Sequence, residues 1–189
     1  MHPRIFAEDL FSQFWRRVEI ITSFRLTLSP LLRLLDTCAD GKPIIRSADS
    51  GDWIGTFEGH RGAVWKFRLN AAADQAVSAS ADFSAKVWDA IRGVEVASFD
   101  HKHIVKAAEF SPDGRAIVTG GHEKLLRIFD LEKPQEAPTV LSGHTKPISH
   151  AFFSVDGNLI YSAGEENDIR VWDRRSLTEV LLASFFLLP

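Results

Sequence analysis

The sequence predicts an all-β fold, an incomplete β-propeller of about three full blades and a partial first blade, on three observations. A bulky aromatic followed by aspartate closes three segments, at Trp88-Asp89, Phe129-Asp130 and Trp172-Asp173, with the aromatics 41 and 43 residues apart. A histidine precedes each aromatic by 28 positions, at His60, His101 and His144. Between histidine and aromatic the chain breaks into short apolar runs separated by Gly, Asp and Ser clusters, the pattern of strands and tight turns.

Two further positions keep the same register. Ten residues before each aromatic stands a hydroxyl (Ser78, Thr119, Ser162), and six before it an acid (Asp82, Glu123, Glu166). The middle copy shows its strands most plainly, as Ile104 to Phe110, Ala116 to Thr119 and Leu125 to Asp130. Ser111-Pro112-Asp113-Gly114 and Gly120-Gly121-His122-Glu123 break them. A further strand follows the aromatic at Val94 to Phe99 and at Leu177 to Ala183. One four-stranded sheet per ~40–45 residues is the unit of a WD-repeat propeller blade. The expected organisation is an atypical segment over 1–35, a partial blade over 36–58, repeats over 59–99, 100–142 and 143–183, and an apolar tail over 184–189.

With 45% hydrophobic and 25% charged residues, the 189-residue chain has ordinary globular composition and is long enough to bury a core. A net charge of −3 gives no electrostatic footprint for direct nucleic-acid or membrane binding. The single cysteine, Cys38, excludes an internal disulfide. No apolar run approaches the ~20 residues that span a bilayer. The segment from Met1 to Leu35 mixes Phe, Leu and Ile with Arg4, Arg16, Arg17, Arg25 and Arg33, but Glu8, Asp9 and Glu19 weigh against a transit peptide. It reads as a helix or as a divergent start to the repeats.

The recurring residues form a chemical set. His60 can bridge Asp82 and Ser78, with the Trp88 indole on the neighbouring strand. A buried histidine, acid, hydroxyl and indole are each costly alone and satisfied together. Ser, His and Asp also make a hydrolase triad. Here, however, the set recurs at a structural period, as His101/Thr119/Glu123 with Phe129 and His144/Ser162/Glu166 with Trp172. The expectation is a structural network with no catalytic residue. No metal site is expected, since His101 and His103 have no third ligand nearby. No cofactor is expected either, since Gly120-Gly121 lacks the Lys-Ser/Thr of a phosphate loop.

Partner contacts are expected at the blade end that carries the histidine loops and the turn acids. Positions three and five after each histidine, and those flanking each acid, fall there: Ala63, Trp65, Ala81 and Phe83; Ile104, Lys106, His122 and Lys124; Pro147, Ser149, Glu165 and Asn167. Trp65, Phe83, Lys106, His122, Lys124, Glu165 and Asn167 are the candidate partner-binding residues. Trp65 and Phe83 would be the anchors, since aromatics dominate interface hot spots. Packing between blades is the competing reading for Trp65, and a solvated rim for Lys106, Lys124 and Lys102.

Asp40-Gly41-Lys42-Pro43, Gly51 to His60, Gly62-Ala63-Val64-Trp65, His101-Lys102-His103-Ile104-Val105-Lys106 and Lys124 to Leu131 closely resemble the serine-threonine kinase receptor-associated family of WD-repeat proteins. The resemblance runs from about Asp36 to Val180. It implies a non-enzymatic, seven-bladed interaction scaffold, cytoplasmic with some nuclear presence. The partners implied are components of the survival-of-motor-neuron complex, which assembles spliceosomal ribonucleoproteins, and transforming-growth-factor-β receptor signalling proteins. A translation-initiation-factor propeller subunit and a non-functional truncated fragment are the alternatives. Val18 stands where the first blade's histidine would be, and Asp36 where its hydroxyl would be. Open repeat arrays expose their end units, so self-association through the end blades or marginal stability is expected.

Overall fold

The computed structural model describes residues 26–28, 33–37, 39–47, 49–166 and 168–184. These form four antiparallel four-stranded sheets. Sheet one holds β1 (Leu26–Leu28), β2 (Arg33–Asp36), β3 (Ile44–Ser47) and β4 (Trp53–Thr56). Sheet two holds β5 (Val64–Leu69), β6 (Gln75–Ser80), β7 (Ser84–Asp89) and β8 (Val94–Asp100). Sheet three holds β9 (Val105–Phe110), β10 (Ala116–Gly121), β11 (Leu125–Asp130) and β12 (Thr139–Ser142). Sheet four holds β13 (Ile148–Phe153), β14 (Leu159–Gly164), β15 (Asp168–Asp173) and β16 (Thr178–Ser184). Strands pair in chain order within each sheet, and no helix occurs among the described residues. The architecture is an incomplete β-propeller.

The first blade differs from expectation. It has four strands and begins at Leu26, where a partial blade from residue 36 was expected. Its strands lack the recurring hydroxyl and aromatic, with Asp36 and Arg46 at those positions, so the repeat signature did not reveal them. Leu26–Leu28 and Arg33–Leu35, inside the segment read as a helix or divergent start, are strand. The rest of that segment, the apolar tail after Ser184 and Asn167 lie outside the described residues.

The core lies between sheets. Leu35, Ile45 and Phe57 pack against Phe67, Ala76 and Trp88. Val77, Ala85, Val87 and Phe99 pack against Val105, Ala108, Phe110, Ile117 and Phe129. Val118, Leu126 and Leu141 pack against Ile148, Phe153, Ile160 and Trp172. Because both faces of a blade are covered, β10 is buried at every residue and β6 at all but its first, so neither alternates as a half-exposed strand would. The far face of sheet four, with Phe152, Tyr161, Ile169 and Val171, repeats the packing positions of Val77, Ala85 and Val87. The first strands touch one another across blades, β5 on β9 and β9 on β13. The fourth strands form the outer rim, where Val94, Val96, Val140, Val180 and Leu182 are exposed.

Ion pairs join the blades among the described residues: Arg68 Nε to Glu109 Oε2 at 3.3 Å, Lys106 Nζ to Glu165 Oε1 at 2.8 Å, and Arg174 Nη1 to Asp113 Oδ2 at 3.7 Å. Apolar clusters fill the joints, and the Phe99–Phe129 pair, with ring centroids 4.4 Å apart, is a central part of one. Phe99→Ala is expected to lower the unfolding free energy in urea by about 3–5 kcal/mol. Val155→Ala, at an exposed turn, should stay within about 0.5 kcal/mol of the parent.

Candidate functional site

In sheet two the recurring residues form one hydrogen-bonded chain. The Trp88 indole N–H donates to Ser78 Oγ at 2.8 Å. The Ser78 hydroxyl donates to His60 Nε2 at 2.6 Å, and His60 Nδ1–H donates to Asp82 Oδ2 at 2.7 Å. This sequence of donors requires a neutral imidazole with its proton on Nδ1. Asp82 also accepts from the Arg61 N–H at 2.9 Å, and from the Ser84 N–H at 3.0 Å and the Ser84 hydroxyl at 2.7 Å. Sheet four repeats the chain, from Trp172 to Ser162 at 2.8 Å, Ser162 to His144 at 2.7 Å, and His144 to Glu166 in a short contact. Glu166 further accepts from the Thr145 N–H at 2.9 Å and the Lys146 N–H at 2.6 Å.

Sheet three is wired differently. His101 Nε2 meets Thr119 Oγ1 at 2.9 Å, but Nδ1 faces the Phe99 carbonyl at 3.0 Å instead of Glu123. Glu123 is held by the Arg127 guanidinium and the Lys102 N–H. The cause lies on the fourth strand. Lys86 and Arg170 pair with the fourth-strand acids Glu95 and Glu179, whereas β12 (Thr-Val-Leu-Ser) carries no acid, which leaves the Arg127 guanidinium to Glu123.

The glycine before each true network histidine has a steric reason. A Cβ on Gly59 would lie 3.0 Å from Trp88 Cη2, and one on Gly143 3.1 Å from Trp172 Cη2. Where the aromatic is the smaller Phe129, Asp100 occupies the matching position. Ser84 was not singled out from the sequence, because it lies outside the repeating signature, and Arg127 was not either, although a base stands two residues before each aromatic, at Lys86, Arg127 and Arg170. The dipeptide Gly-His was the legible signal for the glycine.

Ser78 and Ser162 are fully buried and already engaged on both sides. A hydroxyl so placed cannot reach a substrate, and the sets act as structural clamps. Among the described residues no three His, Cys, Asp or Glu side chains come together as a metal site.

The clamps shape the blade end expected to meet partners. Each first strand carries a bulge there, between Val64 and Lys66, opposite Gly120 and Gly121, and between Ile148 and His150. The extra residue is Trp65, Lys106 and Ser149 respectively, and a bulge re-aims its side chain. Phe83 and Lys124 follow the turn acids in left-handed backbone, with φ of 70° and 62°. Trp65 and Phe83 are 38% and 44% exposed, which leaves area for a partner on both. Lys106 lies 5.6 Å above the Trp65 ring while pairing with Glu165 at 2.8 Å, and so links three blades. His122 stacks under His103 at 4.9 Å. Lys124 and Glu165 are exposed.

This fold and these clamps define a WD-repeat propeller segment. The WD domain, G-beta repeat family matches residues 51–89, 93–130 and 135–173, more than half of the chain, and the protein belongs to that family. Within it the chain is similar to serine-threonine kinase receptor-associated protein. It is 55% identical to that of Gallus gallus and 54% to that of Homo sapiens over 118 residues, covering 62% of this chain and 34% of each relative. The Dictyostelium discoideum protein is 52% identical over 118 residues, with 62% and 40% covered. Eukaryotic translation initiation factor 3 subunit I of Nematostella vectensis is 30% identical over 110 residues. The chain thus matches between 34% and 40% of the length of its receptor-associated relatives.

Burial holds His60, His101 and His144 below the usual 6.5, against the opposing pull of Asp82 on the first and Glu166 on the last. A histidine depressed on folding is bound to fewer protons in the native state, so its stabilising contribution is complete above pH 6.5 and falls as pH drops. Burial pushes Asp82 up, but bonds from Ser84, Arg61 and His60 outweigh it and bring it to about 2. Its contribution is lost only below the usual 3.8. Melting temperature should therefore fall in two acid steps, the first setting in as pH drops below 6.5 and the second below 3.8, as checked by circular dichroism. His60→Ala should destabilise by roughly 2–4 kcal/mol, since Ser78 and Asp82 both lose a partner. His101→Ala should cost about half as much, because Glu123 keeps Arg127. Gly59→Ala should cost about 1–3 kcal/mol by overpacking Trp88.

Proposed function

We propose that this chain is a non-enzymatic protein-interaction scaffold that holds partners on the loop end of its blades. The observation that carries the reading is the hydrogen-bonded state of every recurring histidine, hydroxyl and acid, with the hydroxyls fully buried, beside exposed Trp65, Phe83 and Lys124 and the half-buried Lys106. Polar chemistry is spent on holding loops, and recognition is left to the side chains that those loops present. The relatives are named for association with serine-threonine kinase receptors, and this chain is proposed to serve partners of that signalling class. The resemblance of its His-Lys-His and Trp-Ile-Gly-Thr-Phe runs adds the survival-of-motor-neuron complex and spliceosomal ribonucleoprotein assembly as a proposed setting, in the cytoplasm with some nuclear presence. An initiation-factor role is less favoured, given 30% identity to that subunit against 54% to the human receptor-associated protein.

The test is capture of the tagged chain from its native cells with identification of bound proteins by mass spectrometry. Ribonucleoprotein assembly factors or receptor-kinase signalling proteins are expected in the eluate. Chaperones alone would overturn the proposal.

A further inference from the structure

The blade end that carries the loops has an uneven charge balance that the repeat architecture creates. Its recurring acids are turned inward: Asp82 onto His60 and the Arg61 N–H, Glu123 onto Arg127 and the Lys102 N–H, Glu166 onto His144 and the Lys146 N–H. The side chains of those same loops point the other way. Arg61, Lys102, Lys124 and Lys146 are exposed, and among the described residues none of the four has an ion-pair partner. Asp100 and Glu165 are the exposed carboxylates of sheets two to four at this end, and Glu165 is committed to Lys106. Glu58, in the loop leading into sheet two, is likewise committed to Lys42.

An aromatic strip is carried by the same loops and turns. Phe83 lies 5.5 Å from the His103 ring, and His103 is stacked on His122 at 4.9 Å with 21° between planes. Next to His103, the Nε2 of His122 is buried and has no hydrogen-bond partner. Left-handed backbone at Phe83 and Lys124 sets one aromatic and one cation at equivalent places in adjacent blades.

We infer that this end of sheets two to four docks an acidic segment of a partner protein, with carboxylates against Lys102, Lys124 and Lys146 and an aromatic or aliphatic side chain on Phe83 and His103. The inference rests on the scaffold reading and names the chemistry of its partner. Cations alone would suit any polyanion. The aromatic residues carried on the same loops and turns suit a peptide that alternates charged and apolar side chains, since charge complementarity sets partner choice and rate while buried aromatics set affinity.

The experiment uses the full chain and a short fluorescein-labelled peptide that alternates Asp and Glu around one Trp, read by fluorescence anisotropy. The wild type should bind it, more weakly as salt is raised. Both the Lys102→Glu/Lys124→Glu double variant and Phe83→Ser should bind roughly tenfold more weakly or worse. The melting curve of the double lysine variant should be unchanged, because those side chains are exposed. Equal binding of the matching Asn/Gln peptide, unchanged affinity in the variants, or preferential displacement of the peptide by single-stranded RNA would overturn the inference. Capture from cells separates it from the scaffold reading. Partners recovered equally by wild type and variants would leave the scaffold standing and remove this surface from it. Peptide binding without cellular partners would do the reverse.

Discussion

Each well-formed blade depends on a neutral imidazole standing between a hydroxyl and a carboxylate. Trp88, Ser78, His60 and Asp82 pass hydrogen bonds in one direction only, and the chain works only while His60 lacks a second proton. Burial enforces that state. In return the carboxylate is free to accept the Arg61 N–H, which pins the loop arriving from the previous blade onto the turn between β6 and β7. Because that loop and that turn carry the exposed recognition residues, the interior proton arrangement sets the geometry of the outer surface. The Ala81 N–H donates to the Ala63 carbonyl where the loop meets β5, and the histidine end of the loop is tied to the blade interior by side chains.

Sheet three shows how far the arrangement can be altered without losing the blade. Phe129 supplies no N–H, His101 turns to a carbonyl, and Arg127 replaces the imidazole as the partner of Glu123. The loop is still tied, through the Lys102 N–H, by an acid in the same place. What persists across the three blades is the acid accepting loop amides, and what varies is the group that orients the acid. Loss of the bulky indole also relaxes the requirement for glycine at the preceding position, as Asp100 indicates.

The sheets, their order and the clamps were legible because histidine, hydroxyl, acid and aromatic recur at fixed offsets, and such offsets follow from strand length and pairing register. The bulge positions of Trp65 and Lys106 were legible for the same reason, five residues after a histidine. The strands of sheet one were hidden by the absence of those markers, with Asp36 and Arg46 in their place. The divergent wiring of His101 was hidden because it depends on the fourth strand offering Arg127 no acid, and that strand lies outside the recurring signature. The stacking of His103 on His122 joins a loop to a turn across sheet three, a proximity that a list of offsets does not contain.

The hydrogen-bonded clamps close on themselves within one blade. From the glycine ahead of His60 to Trp88, every donor and acceptor of the chain belongs to a stretch of about one repeat length, and neighbouring blades contribute mainly apolar faces. A duplicated gene segment of that length therefore arrives with its polar wiring complete and needs from its neighbour only a hydrophobic surface. Growth by whole repeats is then the path of least chemical disturbance. Each new copy can drift at its turn and bulge positions, and so acquire a new ligand preference, while the interior that folds it is inherited intact.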